Sequence, residues 1–341
     1  MTDSTFGRLS RDEAVARIRR GVDSLVVCHV RPDADALGSA LAVCQLLRAM
    51  GCRALCACQD EIPERLRFLV GDMQESILPD HLPADFAPAQ IIAVDTASPA
   101  QMGTLFERYG RSVTLMIDHH GKGEMYADGW VKPDAAATGE MIYDIACTLV
   151  ESGAIPALPD GIERLLYAAI SSDTGCFRYS NVTPETHRCA AEILELSRRN
   201  GSFDPADINH RLFEVKSPKL LLAEKLAFDR LHLFAEGRVG IVDFPIALKQ
   251  AHELSDEHLE TLVDIPRGME GVQVAAAIRQ PSDEPVFRVS MRSSCHVDVS
   301  AVCAAFGGGG HVRAAGCTLR VPTMEDAVDT IAQAVMQAME K

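Results

Sequence analysis

Apolar residues come in short bursts along the first third of the chain, and each burst ends on a side chain that does not belong in a core. Leu25-Val-Val-Cys28 runs into His29 and then Arg-Pro-Asp33-Ala-Asp35; Ile91-Ile-Ala-Val94 runs into Asp95; Val113-Thr-Leu-Met-Ile117 runs into Asp118-His119-His120. Bursts this short and this continuous predict strands covered on both faces. Between them the periodicity turns helical. Ser10-x-x-Glu13 opens a first helix through a capping box, Gly38 to Met50 reads as a second closed by Gly51, a strand falls near 53–58, and a third helix runs from Thr138 to about Ser152. Asp160-Gly-Ile-Glu163 reads as another capping box ahead of the helical pattern Ile162 to Ile170, which is followed by Ser-Ser-Asp173-Thr-Gly175. Such alternation predicts an α/β fold with a mostly parallel sheet covered by helices.

Further along, Thr183-Pro184 and Ser217-Pro218 each set a cap before a proline in the first turn of a helix, the first ending before Gly201 and the second near Arg230. Leu231-His-Leu-Phe234, the Glu236-Gly237 turn and Val239-Gly-Ile-Val242 then read as a hairpin, with strands near 272–278 and 286–291 and a last helix capped by Thr323. The expected organisation is a metal-binding domain over 1–194, a helical linker over 195–228, and a smaller α/β domain with a mixed sheet over 229–341.

Composition narrows the function. At 341 residues and 47% hydrophobic, the chain can bury two cores. A net charge of −15 argues against tracking long nucleic acid, which needs many cationic contacts to phosphate, and one Trp with five Tyr leave few platforms for stacked bases. No apolar run reaches the roughly 18 residues of a membrane span, and Met1-Thr-Asp-Ser4 carries no leader pattern, so a cytosolic location is expected. The eleven cysteines, including Cys52, Cys56 and Cys58, sit within apolar patterns and read as buried thiols. The apolar composition leaves room for a homodimer.

In a parallel sheet, ligands bind beyond the carboxyl ends of the strands, so residues far apart in sequence can meet there. Taken singly, Asp33 and Asp35 could be turn residues, and Asp95 and Asp173 helix caps. Taken together with a His-His pair, they describe oxygen and imidazole donors without thiolate, which suits Mn²⁺ or Mg²⁺ and allows a two-metal centre with a bridging Asp. The second chemical signal is Phe306-Gly307-Gly308-Gly309-Gly310-His311, followed by Val-Arg313-Ala-Ala-Gly316. Successive amides in such a run can form an anion-binding nest, and Arg292 at a predicted strand end could fork onto a phosphate.

These segments carry a resemblance. His29-Val-Arg-Pro-Asp33-Ala-Asp35-Ala-Leu-Gly38-Ser39, Asp95-Thr96, Asp118-His119-His120 and Asp173-Thr-Gly175 resemble the four successive motifs of DHH phosphoesterases, while Ser290-Met-Arg-Ser293 with Gly307 to His311 and Ala314-Ala-Gly316 resembles the associated DHHA1 domain. The resemblance covers nearly the whole chain, and its two-domain length is similar to the stand-alone oligoribonuclease (nanoRNase) and pAp-phosphatase group. It implies that His29, Asp33 and Asp95 hold one Mn²⁺, that Asp35, Asp95, His119 and Asp173 hold the second, that His120 faces the substrate phosphate, and that Asp118 orients a histidine. It also implies that Arg292, the glycines 307–310 and His311 grip a terminal phosphate. The implied substrates are short oligoribonucleotides, linear dinucleotides and 3′-phosphoadenosine 5′-phosphate (pAp). Alternatives are a cyclic-dinucleotide phosphodiesterase and, from another class, a non-catalytic nucleotide sensor; inorganic pyrophosphatase is disfavoured by the glycine run.

Overall fold

The computed structural model describes residues 6–71, 77, 82–121 and 123–340. Met1–Ser4, where no leader pattern was read, lies outside them. The chain forms two compact units, Met1–Val215 and Lys216–Lys341.

The first unit runs α1 (Arg11–Ile18), β1 (Ser24–Val27), α2 (Ala34–Ala49), β2 (Ala54–Ala57), α3 (Arg67–Val70), β3 (Gln90–Val94), α4 (Thr104–Tyr109), β4 (Val113–Asp118), β5 (Gly129–Val131), α5 (Thr138–Glu151), α6 (Ile162–Asp173), α7 (Pro184–Asn200) and α8 (Pro205–Asn209). Among the described residues its five strands are all parallel, in the order β2-β1-β3-β4-β5. Alternate residues face opposite sides: Val26 and Cys28 join the larger core beneath α2, α5 and α6, while Leu25 and Val27 join the smaller core with Met102 and Leu105. Both faces are therefore dry, which explains why the strands read as unbroken apolar runs. The strand order reverses between β1 and β3, and at such a switch the two strand ends diverge and leave a crevice.

Two expectations need correction. The second helix starts at Ala34, not Gly38, because Asp33 is its N-cap and accepts a hydrogen bond from the Ala36 amide at 2.9 Å. Asp160 caps nothing: Gly161, in the left-handed conformation at φ +81°, takes the N-cap position of α6 and contributes no side-chain bond. The three-residue β5, with Trp130 in the core, was not read from the sequence.

The second unit runs α9 (Pro218–Phe228), β6 (Leu231–Phe234), β7 (Val239–Phe244), α10 (Ile246–Ala251), α11 (Asp264–Arg267), β8 (Val274–Arg279), β9 (Val286–Ser293), α12 (Val299–Ala304), β10 (Gly309–His311), β11 (Ala314–Arg320) and α13 (Met324–Met339). Its sheet is mixed, in the order β10-β11-β9-β8-β7-β6, with β7 and β8 parallel and the other pairs antiparallel. The 195–228 stretch is shared between the units, since Ile208 is buried in the first core and Ala223 and Ala227 in a core of the second. Among the described residues, no helix is long and apolar enough to cross a membrane.

Candidate metal centre

The ends of β1, β3 and β4, the start of α2 and the end of α6 bring six predicted ligands together. Three overlapping groups arise in which the donor atoms lie within 4.8 Å of one another: His29, Asp33 and Asp95; Asp35, His119 and Asp173; and Asp95, His119 and His120. Asp95 joins the first group to the last. Its Oδ2 lies 3.4 Å from His29 Nε2, and its Oδ1 lies 3.7 Å from His119 Nε2, so the two oxygens of one carboxylate face different histidines. Asp95 also adopts φ +53°, a left-handed backbone that costs a non-glycine residue about 1 kcal/mol or more and recurs where a side chain must be aimed.

Second-layer hydrogen bonds fix which imidazole nitrogen faces the cluster. His29 Nδ1 donates to the Val30 carbonyl at 2.8 Å, and His119 Nδ1 donates to the Ala135 carbonyl at 3.2 Å. A carbonyl can only accept, so both rings carry Nδ1–H and turn Nε2 inward, the arrangement that orients metal-ligating histidines. His119 Nε2 is buried and has no hydrogen-bond partner, although carboxylate oxygens of Asp173, Asp35 and Asp95 lie 3.2, 3.8 and 3.7 Å away. Imidazole and carboxylate donors converging within 4.8 Å of one another fit a shared cation.

Electrostatics makes the same demand. Burial, with Asp95 and Asp173 nearby, pushes the Asp35 carboxyl well above the usual carboxylate range; burial and the Asp33 and Asp95 charges raise Asp173 to about 6. Burial alone would lower the two histidines, but Asp33 and Asp95 hold His29 well above its ordinary value, and Asp173, Asp35 and Asp95 hold His119 up to about 11. Four carboxylates, Asp33, Asp35, Asp95 and Asp173, bring a formal charge of −4 into this space. Two divalent cations would neutralise it, and oxygen and imidazole donors without thiolate suit Mn²⁺ or Mg²⁺. The residues present thus fit a pair of such ions.

His120 is held differently. Its Nδ1 donates to Asp118 Oδ1 at 2.8 Å, while Asp118 is almost fully buried at the last position of β4. Burial opposes a charge on His120, yet Asp118 and Asp95 outweigh it and raise its pKa. Three contributors were missed in the sequence. The α5 amides of Thr138 and Gly139 donate to Asp35 at 2.7 and 2.8 Å, the Thr138 hydroxyl donates to Asp95 Oδ1 at 2.9 Å, and Asn181 Nδ2 donates to the Ala136 and Asp173 carbonyls at 3.0 Å each. The small-residue run Ala135-Ala136-Ala137 before Thr138 was the available signal.

In these surroundings the family is decided by comparison over the whole length. The chain is 31% identical to the bifunctional oligoribonuclease and PAP phosphatase NrnA of Thermus thermophilus, over 96% of this chain and 94% of that one. This protein belongs to the DHH phosphoesterase family. Residues 24–170 match the DHH family N-terminal domain, and residues 243–341 match the DHHA1 domain. The Bacillus subtilis protein of the same name is 27% identical, over 85% of this chain and 87% of its own. In fold, the chain is similar to an exopolyphosphatase-related protein of Bacteroides fragilis, with a TM-score of 0.82 at 20% identity over 96% of each.

The DHHA1 residues form a group of their own in the second unit. Arg292 lies on β9 between Ala275 of β8 and Ala314 of β11, and His311 ends β10 opposite Ala314. The glycine run is less open than expected. Gly307, at φ +73°, and Gly308 donate their amides to Ala304 and Cys303 at 3.0 and 2.9 Å, which is the closing pattern of a helix C-terminus. Those two amides are spent on α12 and are not offered to an anion. Gly310 lies so close to β11 that an added Cβ would meet the Ala314 carbonyl at 2.5 Å, so its smallness is needed for strand pairing.

Proposed function

We propose that this protein is a Mn²⁺-dependent phosphodiesterase and phosphatase that cleaves short oligoribonucleotides and linear dinucleotides to mononucleotides and removes the 3′-phosphate of pAp. The observation that carries the reading is Asp95, whose two oxygens face two ligand groups. His29, Asp33 and Asp95 hold one cation; Asp35, Asp95, His119 and Asp173 hold the other. When bound, such a pair supplies Lewis acidity toward a phosphoryl oxygen and lowers the pKa of water.

The chain's own residues do the rest. Asp118 keeps a proton on His120 Nδ1 and favours the charged ring, so His120 can stabilise phosphoryl charge or give a proton to the leaving oxygen from Nε2. Asp33 divides its work, with Oδ1 capping α2 and Oδ2 facing His29 at 3.8 Å. In the second unit, Arg292 and His311 form the substrate-binding group beside the run Gly307 to Gly310, whose first two amides serve α12, with Arg292 supplying a planar fork for a terminal phosphate. The names of the Thermus and Bacillus relatives support this substrate class.

The test is product analysis with Mn²⁺ on a labelled linear dinucleotide, pAp, a cyclic dinucleotide and a longer oligomer. Mononucleotide from the dinucleotide and AMP from pAp are expected, with both lost in the Asp118→Ala, His119→Ala double variant. Faster turnover of the cyclic dinucleotide, or wild-type turnover by the double variant, would reject the reading.

A further inference from the structure

We infer that Thr138 is a positioning residue for Asp95, selecting the rotamer in which that carboxylate can serve two cations; the inference rests on the metal-centre reading above. Helix α5 begins without a cap of its own, since its N-cap residue, Ala137, offers no side-chain bond. Asp35, from α2, takes that place: its Oδ2 and Oδ1 accept the first two amides, those of Thr138 and Gly139, at 2.7 and 2.8 Å. A carboxylate at a helix N-terminus also meets the positive end of the backbone dipole. The start of α5 is thus tied to one cluster carboxylate through its backbone.

It is tied to the other through a side chain. A helical Thr hydroxyl ordinarily bonds a carbonyl of the preceding turn, but at the first position of α5 there is no preceding turn. Thr138 is fully buried, so water cannot serve either. Its Oγ1 donates to Asp95 Oδ1 at 2.9 Å. That bond holds Oδ1 on the α5 side, where His119 Nε2 is 3.7 Å away, and leaves Oδ2 toward His29 at 3.4 Å. Asp95 follows β3 on a left-handed backbone, so its direction depends on what grips it from outside its own strand. Thr138 hydrogen-bonds both Asp35 and Asp95, one carboxylate from each of two ligand groups.

The test compares Thr138→Val, which keeps the shape and removes the donor, with Thr138→Ser, which keeps the donor. Mn²⁺ uptake is measured by calorimetry and the coupling between ions by electron paramagnetic resonance. Wild type and Thr138→Ser should take up a coupled pair. Thr138→Val should bind the pair about ten- to a hundredfold more weakly, with the coupled signal replaced by that of isolated Mn²⁺. Should Thr138→Val not fold, Thr138→Ala is measured in its place with the same expectation. A donor-free variant with wild-type affinity and coupled signal, or a Ser variant as weak as Val, overturns the inference while leaving the metal centre standing. A wild-type chain that takes up no Mn²⁺ sinks the centre and this inference together.

Discussion

Gly38→Ala should separate metal binding from folding. Gly38 sits in α2 against α6, where an added Cβ would lie 2.6 Å from the Leu165 carbonyl oxygen and 3.4 Å from Ala169 Cβ. The obstacle is backbone inside a helix, so it cannot rotate away. An ordinary carbon–oxygen contact is about 3.3 Å, so the helices must part by about 0.7 Å. Overpacking of this kind costs about 1–3 kcal/mol, and the better helix propensity of Ala returns about 1 kcal/mol, leaving a loss between about 0 and 2 kcal/mol. The cluster is less forgiving. Asp35 lies in the first turn of α2 and Asp173 is the last residue of α6, so the same movement spreads them. Metal–ligand distances tolerate only about 0.2 Å, and a 0.7 Å spread should weaken Mn²⁺ binding at least about tenfold. Denaturant unfolding of the metal-free protein gives the first quantity and calorimetric Mn²⁺ titration the second. A variant that binds Mn²⁺ like wild type would show that α2–α6 packing does not set the ligand geometry.

Other consequences are as direct. Asp95→Ala should lower Mn²⁺ stoichiometry below two per chain and cost about 10³-fold or more in turnover, roughly 4 kcal/mol, whereas undiminished stoichiometry would remove Asp95 as the bridge. Ligation needs neutral imidazole and ionised carboxylate, yet in the metal-free chain His119 keeps its proton up to about 11 and Asp173 up to about 6. Mn²⁺ binding near neutral pH should therefore release protons and weaken as pH falls, visible as a buffer-dependent calorimetric heat; a heat independent of buffer would contradict this. The sign for metal-free stability is opposite: the raised His119 pKa gives stability fully present below about 6.5 and lost as pH rises toward 11, so the metal-free melting temperature should decline through that window. Gly310→Ala should destabilise the second unit through its clash with β11, while Gly309→Ala, which meets nothing within 4 Å, should fold normally; equal melting temperatures would refute that contrast.

The first unit was legible because its chemistry sits where apolar runs stop. His29, Asp95 and Asp118 to His120 close three strands of a sheet dry on both faces, and a polar residue in that position stands out in one dimension. What stayed hidden depends on groups that look ordinary in sequence. β5 is only three residues long and opens on Gly129, too short a run to show a period. Asp33 and Asp35 read as loop residues because a helix beginning between two ligands has no separate signature, although Asp33 caps α2 and Asp35 caps α5. The glycine run read as an open nest, because sequence does not reveal that Gly307 and Gly308 close α12 or that Gly310 fits against β11. Thr138 offered only its place at a helix start, and its partners lie 43 and 103 residues away.

The central claim is a pair of cations sharing Asp95. Crystals grown with Mn²⁺ and measured at the manganese absorption edge should give two anomalous peaks about 3.5–4 Å apart, one beside His29 and Asp33 and one beside His119, Asp35 and Asp173, with Asp95 touching both. A map with no peak among these side chains, or a single peak that Asp95 does not contact, would contradict the account.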